Sequence, residues 1–309
     1  MPLHPQIAAV LQASAHLRWS PELPLEQARQ QFRQRTALAP PPSEPLAAVQ
    51  DLALAEHGQR LAARLYRPQG TGMFPLLVFF HGGGFVLGDL DTHDGLCRRL
   101  CARTPALVLA VDYRRAPEHP FPAAVEDAWR AVRWAHREAE RLGADPARLA
   151  VVGDSSGGTL AAATALRCRD QNGPSLAAQA LFYPALDHYT ASTPSQLEMA
   201  EGYGLSLASL RWYWDQYLPE PRARLDPYAV PARTANLARL PPTLIVTAEY
   251  DVLRDEAERY AARATAAGVA VAARRYAGMN HGFLGLAGWL AEADRAIDES
   301  CAWLARRRS

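Results

Sequence analysis

Leu149-Ala150-Val151-Val152-Gly153-Asp154-Ser155-Ser156-Gly157-Gly158-Thr159 passes from strand to helix through one tight turn. Four apolar residues without a polar break read as a strand buried on both faces. The small residues from Thr159 to Leu166 then open a helix. Between the two lies Gly153-x-Ser155-x-Gly157, a pattern that acquires meaning in this strand–turn–helix setting. Glycine is needed because a Cβ at either flank of so tight a turn would clash. The turn lifts a hydroxyl above the sheet edge, where the helix N-terminus supplies unpaired N–H groups and the positive end of its dipole. Ser155 is the expected nucleophile. A frame centred on Ser156 would begin at Asp154 rather than Gly.

Working outward, the same kind of short apolar run recurs. Leu76–Phe80, 106–111, 178–182, Leu244-Ile245-Val246 and Val269-Ala270-Val271 alternate with helical stretches at 123–142, 157–171 and 254–267. Alternation begins near Leu46, and Leu61–Tyr66 reads as a strand. Strands interleaved with helices predict an α/β fold with a mainly parallel, twisted sheet flanked by helices. Two regions interrupt the rhythm. Residues 1–45 read as helix ending in a Pro-rich break at Pro40, Pro41, Pro42 and Pro45. Residues 186–240 hold no clear strand, and within them a Tyr/Trp-rich helix runs from Leu207 to Leu218. Both read as additions to a core formed by 46–185 and 241–309. The aromatic residues Trp212, Tyr213, Trp214 and Tyr217 read first as packing, with a pocket-lining role second.

A serine hydroxyl needs a neighbouring base at neutral pH. The chain contains no lysine, which removes Ser–Lys chemistry, P-loop phosphate binding and Schiff bases. Nine histidines remain, at 4, 16, 57, 81, 93, 119, 136, 188 and 281. In this arrangement the order along the chain is Ser, acid, His. His188 follows directly on the strand after the elbow, leaving little room for an intervening acid, so His281, in Gly278-Met279-Asn280-His281-Gly282-Phe283, is the expected base. Asp251, just past the strand Leu244–Val246, is the expected acid. Its role would be to hold the imidazole in one tautomer. Glu249 is expected partly within that strand, and Asp255 about one helical turn further on, supporting the loop. His81-Gly82-Gly83-Gly84 follows the strand Leu76–Phe80. Gly83 and Gly84, with the Ser156 amide, are the expected oxyanion donors. His81 reads as a loop-fixing hydrogen bonder, and Phe85 as bordering the pocket.

These motifs jointly resemble the hormone-sensitive-lipase-like branch (bacterial family IV) of the α/β-hydrolase esterases. The resemblance is carried by His81–Phe85, by Asp112-Tyr113-Arg114-Arg115-Ala116-Pro117-Glu118-His119-Pro120-Phe121-Pro122-Ala123, by Gly153–Gly158, by the Asp251 loop and by His281-Gly282-Phe283. It runs in family order from about residue 75 to 285. Membership implies an α/β-hydrolase core with a helical cap made by 1–45 and 186–240. It also implies hydrolysis of short- to medium-chain acyl esters without metal or cofactor, and a structural role for Tyr113–Ala123. Three positions depart from the family pattern: Ser156 stands for Ala, Arg115 for Leu and Val252 for Pro. Two other readings remain: an amidase or arylformamidase, and a non-catalytic ligand-binding relative, of the kind that lacks the histidine present here as His281.

Composition narrows the partners. A formal charge of +1 with interspersed signs gives no nucleic-acid or anionic-membrane footprint. Cys97, Cys101, Cys168 and Cys301 are too few for a disulfide framework. Cys97 and Cys101, at i,i+4 of an expected helix, lack the companions of a zinc site. The first residues lack a signal-peptide pattern, and no apolar run reaches membrane-span length. The expectation is a soluble cytoplasmic protein acting on a small-molecule ester; a homodimer is compatible with the sequence.

Overall fold

The computed structural model describes residues 2–17, 22–56 and 59–307. Part of the expected N-terminal helical region (18–21) and His57 lie outside them. One eight-stranded sheet organises the chain. Its strands are β1 (Ala48–Glu56), β2 (Gln59–Arg67), β3 (Phe74–Phe80), β4 (Leu107–Val111), β5 (Ala144–Asp154), β6 (Ala178–Phe182), β7 (Thr243–Tyr250) and β8 (Val271–Asn280). The spatial order is β1-β2-β4-β3-β5-β6-β7-β8. β1 and β2 pair antiparallel, as do β2 and β4, and every pairing from β4 to β8 is parallel.

The unbroken apolar runs are explained by burial on both faces. Leu76, Val78 and Phe80 of β3 belong to a core layer shared with helices α4 (Ala123–Glu138), α5 (Ser156–Asp170) and α8 (Arg254–Ala266). Leu77 and Phe79, pointing the other way, pack with α3 (Asp94–Arg103) and α9 (Ala291–Leu304). Successive side chains of a strand face opposite layers, so a central strand with a helix layer on each side has no polar position to offer. Cys97 and Cys101 fall on the inner face of α3, and both are fully buried.

The remaining helices lie outside this pattern. α1 (Pro5–Ala13) and α2 (Leu25–Thr36) form the N-terminal pair, and α6 (Pro194–Glu198) and α7 (Leu207–Tyr217) belong to the 186–240 insertion, which contains no strand. Residues of α1, α2 and the insertion line one cavity of about 1090 Å³ together with Ser155 and His281. No described helix is long and apolar enough to cross a membrane.

Two expectations shift. The strand placed at 269–271 in fact runs from Val271 to Asn280. β8 is an edge strand with Ala273, Arg274 and Arg275 exposed, so its charged middle gives no apolar run; such charges protect a sheet edge from further pairing. The helix expected at 123–142 ends at Glu138, and a separate 3-10 turn occupies Glu140–Leu142.

Candidate active site

Parallel strands end on one edge of a sheet. Here the loops after β3, β5, β7 and β8 carry His81–Gly84, Ser155, Asp251 and His281 to that edge. The turn after β5 is strained. Ser155 sits at φ 55°, ψ −121°, a sparsely populated region for a residue with a Cβ. A Cβ on Gly153 would run into the Gly157 carbonyl, and one on Gly157 into the Phe80 carbonyl. The backbone of Ser155 is locked on both sides: its N–H donates to Phe182 O (2.8 Å), and its carbonyl accepts from Thr159 and Ala185 (both 3.2 Å).

Ser155 Oγ lies 2.9 Å from His281 Nε2, and His281 Nδ1 lies 2.8 Å from Asp251 Oδ2. A carboxylate only accepts, so Nδ1 carries the proton in neutral imidazole and Nε2 presents its lone pair to the serine hydroxyl. Asp251 is 2% exposed, and its other oxygen accepts from the Leu253 amide at 2.9 Å. The edge of Tyr183, with ring centroids 5.0 Å apart, packs against the His281 ring.

The pairing register of the last two strands places Asp251 beside His281. β7 and β8 run in step to Ala248↔Tyr276, then slip so that Tyr250 faces Asn280. The residue that follows each strand is Asp251 and His281 respectively. The slip is a bulge at Gly278, where φ is +74°, and Glu249 Oε2 accepts the Gly278 N–H at 2.7 Å. That bond holds the Glu249 carboxyl below its ordinary pKa. Glu249 therefore lies within β7, and Asp255 binds the Ser195 amide (2.8 Å) and Arg254 rather than His281.

On the other side of Ser155, Gly83 (φ 121°) and Gly84 (φ 63°) adopt left-handed backbone. Neither amide, nor that of Ser156, donates to an acceptor among the described residues. All three residues line the cavity with Ser155 and His281. Beneath them lies a polar support that sequence reading did not find. Asp154, the unspecified residue of the Gly-x-Ser-x-Gly pattern, is buried and accepts the Gly82 N–H at 2.9 Å, with His93 Nε2 at 3.4 Å. Burial pushes the Asp154 carboxyl up, but His93, His81 and the Gly82 amide more than offset it, leaving its pKa below the ordinary value. The available signal was a carboxylate one glycine past the apolar run Leu149–Val152.

His81 is buried and its pKa falls to about 3, first through desolvation and then through His93. Its Nδ1 donates to Gly82 O (2.8 Å) and its ring stacks on Tyr113. The Tyr113 hydroxyl donates to His81 O at 2.7 Å, Arg115 binds Gly88 O, and Ala116 N donates to Phe85 O. The segment after β4 thus braces the glycine loop. Trp214 and Tyr217 are buried, with Tyr217 stacked on Phe85 at 3.7 Å. Trp214 and Tyr213 reach the cavity wall, and the Tyr213 ring lies directly over Gly84. No cluster of metal-ligating side chains occurs among the described residues.

Comparison with known proteins agrees with this geometry. A family profile described as alpha/beta hydrolase fold matches residues 77–285. Esterase LipI of Mycobacterium tuberculosis is 42% identical over 89% of this chain and 86% of its own. Ethyl acetate hydrolase of Pseudomonas putida is 37% identical over 96% of both chains. The solved structure of a hyperthermophilic esterase from the archaeon Pyrobaculum calidifontis superposes with a TM-score of 0.94 at 40% identity, covering 99% of this chain and 98% of that one. The chain belongs to the alpha/beta hydrolase fold family, in its hormone-sensitive-lipase-like branch of carboxylesterases.

Proposed function

We propose that this protein hydrolyses short- to medium-chain carboxylic esters through an acyl-enzyme on Ser155. The observation that carries the reading is the unbroken relay Ser155 Oγ–His281–Asp251, with bonds of 2.9 and 2.8 Å, beside three free amides. Ser155 attacks the ester carbonyl while His281 Nε2 takes its proton. Negative charge then grows on the former carbonyl oxygen. The amides of Gly83, Gly84 and Ser156, with the α5 N-terminus behind them, stabilise it without reorganisation. His281, now imidazolium and held by buried Asp251, protonates the departing alcohol. Water repeats the sequence to release the acid. The acid keeps its charge throughout and serves to orient and stabilise.

The helices of 1–45 and 186–240 act as a cap over the cavity, setting which acyl and alcohol groups fit. The four free, buried cysteines suit a reducing compartment, and the reading includes a cytoplasmic location. Ser155→Ala should lower kcat for 4-nitrophenyl butyrate by roughly 10⁴–10⁶ and abolish fluorophosphonate labelling. Wild-type turnover by that variant would refute the assignment. Matched ester and anilide substrates separate this reading from an amidase.

A further inference from the structure

The cavity in front of Ser155 has on its wall an arginine, Arg35, that forms no ion pair among the described residues. Arg35, in the last turn of α2, lines it. Its side chain is open to water, yet protein surrounds it, and that desolvation lowers its pKa from the ordinary guanidinium value. It remains a cation, as arginine does in proteins. The guanidinium lies over Phe32, 5.1 Å from the ring centroid, and Tyr213 lines the same cavity. No carboxylate among the described residues pairs with it. The Tyr213 ring packs on Gly84, and Arg35, Tyr213 and Gly84 line the same cavity.

A second cation borders the same cavity. Arg99 is 5% exposed, its Nε makes no hydrogen bond, and its terminal nitrogens donate to no acceptor among the described residues. The nearest acid, Glu44, is 3.6 Å from Nε and already accepts two hydrogen bonds from Arg103. The other arginine and the aspartates on the wall are matched: Arg33 with Asp89, Asp91 with Arg64, Asp94 with Arg98, Asp154 with His93. Glu201, also on the wall, forms no ion pair with either arginine.

A helix C-terminus accounts for a cation in its last turn, but not for leaving it without a counter-charge on the wall of a substrate cavity. An unpaired guanidinium there offers a carboxylate a charge-assisted, bidentate contact. We infer that the site favours esters carrying a carboxylate remote from the scissile bond, with Arg35 as the residue that binds it. This rests on the ester-hydrolase reading above. It names a substrate class: half-esters of dicarboxylic acids, or esters whose alcohol part bears an acid.

Two matched pairs test it, one for each side of the scissile bond. Mono-4-nitrophenyl adipate is compared with its methyl ester, and 4-(butyryloxy)benzoate with its methyl ester. The expected result is that in at least one pair the anion is preferred in kcat/KM by about tenfold, the worth of one charge-assisted hydrogen-bonded contact. In Arg35→Gln that ratio falls to about one or below, and Arg35→Lys restores part of it. Dividing the wild-type ratio by the variant ratio cancels differences in intrinsic reactivity. In the wild type alone, raising ionic strength from about 0.02 M to about 0.5 M should erode the preference, which keeps the test decisive if a variant fails to fold. The inference is overturned if the wild type turns over 4-nitrophenyl butyrate but disfavours both anions, or if Arg35→Gln keeps the preference. Absence of 4-nitrophenyl butyrate hydrolysis would instead remove the ester-hydrolase reading itself.

Discussion

At Ser155 the chain accepts a left-handed backbone that costs of order 1–3 kcal/mol, and the neighbours show what holds it there. Both sides of the turn depend on a missing Cβ, at Gly153 and Gly157, and this dependence made the proposed nucleophile legible in sequence. Gly83 and Gly84, two of the three proposed oxyanion donors, were legible only as glycines, because what matters is an amide direction and not a side chain. Ser156 illustrates the difference. Its hydroxyl is buried near Tyr113 but meets no partner in hydrogen-bond geometry, and its proposed contribution is the backbone N–H. Ser156→Ala should therefore leave kcat/KM for 4-nitrophenyl butyrate within about twofold, and raise the thermal midpoint slightly, since an unsatisfied buried hydroxyl is removed. A loss above about tenfold would mean the hydroxyl takes part. Asp154 is the opposite case. No motif marks it, yet its carboxylate fixes Gly82. Asp154→Asn keeps shape and one acceptor oxygen but loses the charge facing His93 and His81, and kcat should fall by about ten- to a hundredfold with KM little changed. An unchanged kcat would show that the glycine loop holds itself.

The element that sequence placed least well, β8, is the one whose details matter most for the base. An edge strand with Arg274 and Arg275 facing solvent has no apolar signature, and a bulge moves the register after Ala248. Spacing along the chain reveals neither. His281 was identified by order among histidines, a signal independent of strand boundaries. The central strands, buried on both faces, were readable to within a few residues at either end for the opposite reason. Glu249 shows how an excluded candidate still serves the site: its bond to the Gly278 amide pins the bulge that aligns Asp251 with His281. We expect Glu249→Ala to lower kcat by about tenfold through a looser His281, with Glu249→Gln, which keeps an acceptor, recovering much of it. The proton shift of the His281 Nδ1–H in NMR provides a readout of alignment that general destabilisation does not mimic. Equal activity in Glu249→Ala and wild type would remove this positioning role.

For the molecule as a whole, buried titratable groups on both sides of the sheet edge set the acid limit of stability. His81 and His188 are both buried, with pKa values lowered by desolvation to about 3 and about 4 from an ordinary 6.5. The unfolded chain takes up these protons near pH 6.5, while the folded chain resists until far lower pH. Between those values the unfolded state binds more protons, so stability is present above 6.5 and is lost as pH falls. Each histidine adds up to about 1.4 kcal/mol per pH unit to that slope. His188 is the position at which to isolate the effect, because it lies in the insertion rather than in the glycine loop. Its Nδ1 takes the Thr190 N–H, which caps the 3-10 turn Tyr189–Ala191. Asparagine has an acceptor at nearly the same place and does not titrate. His188→Asn loses ring contacts with Trp214 and Tyr189 and should be less stable at pH 8, yet its stability should decline less steeply from pH 6 to 4. Chemical denaturation across that range measures both quantities separately. A variant curve displaced downward but parallel to the wild type would show that His188 takes up its proton equally in the folded and unfolded chain, and that the acid limit is set elsewhere.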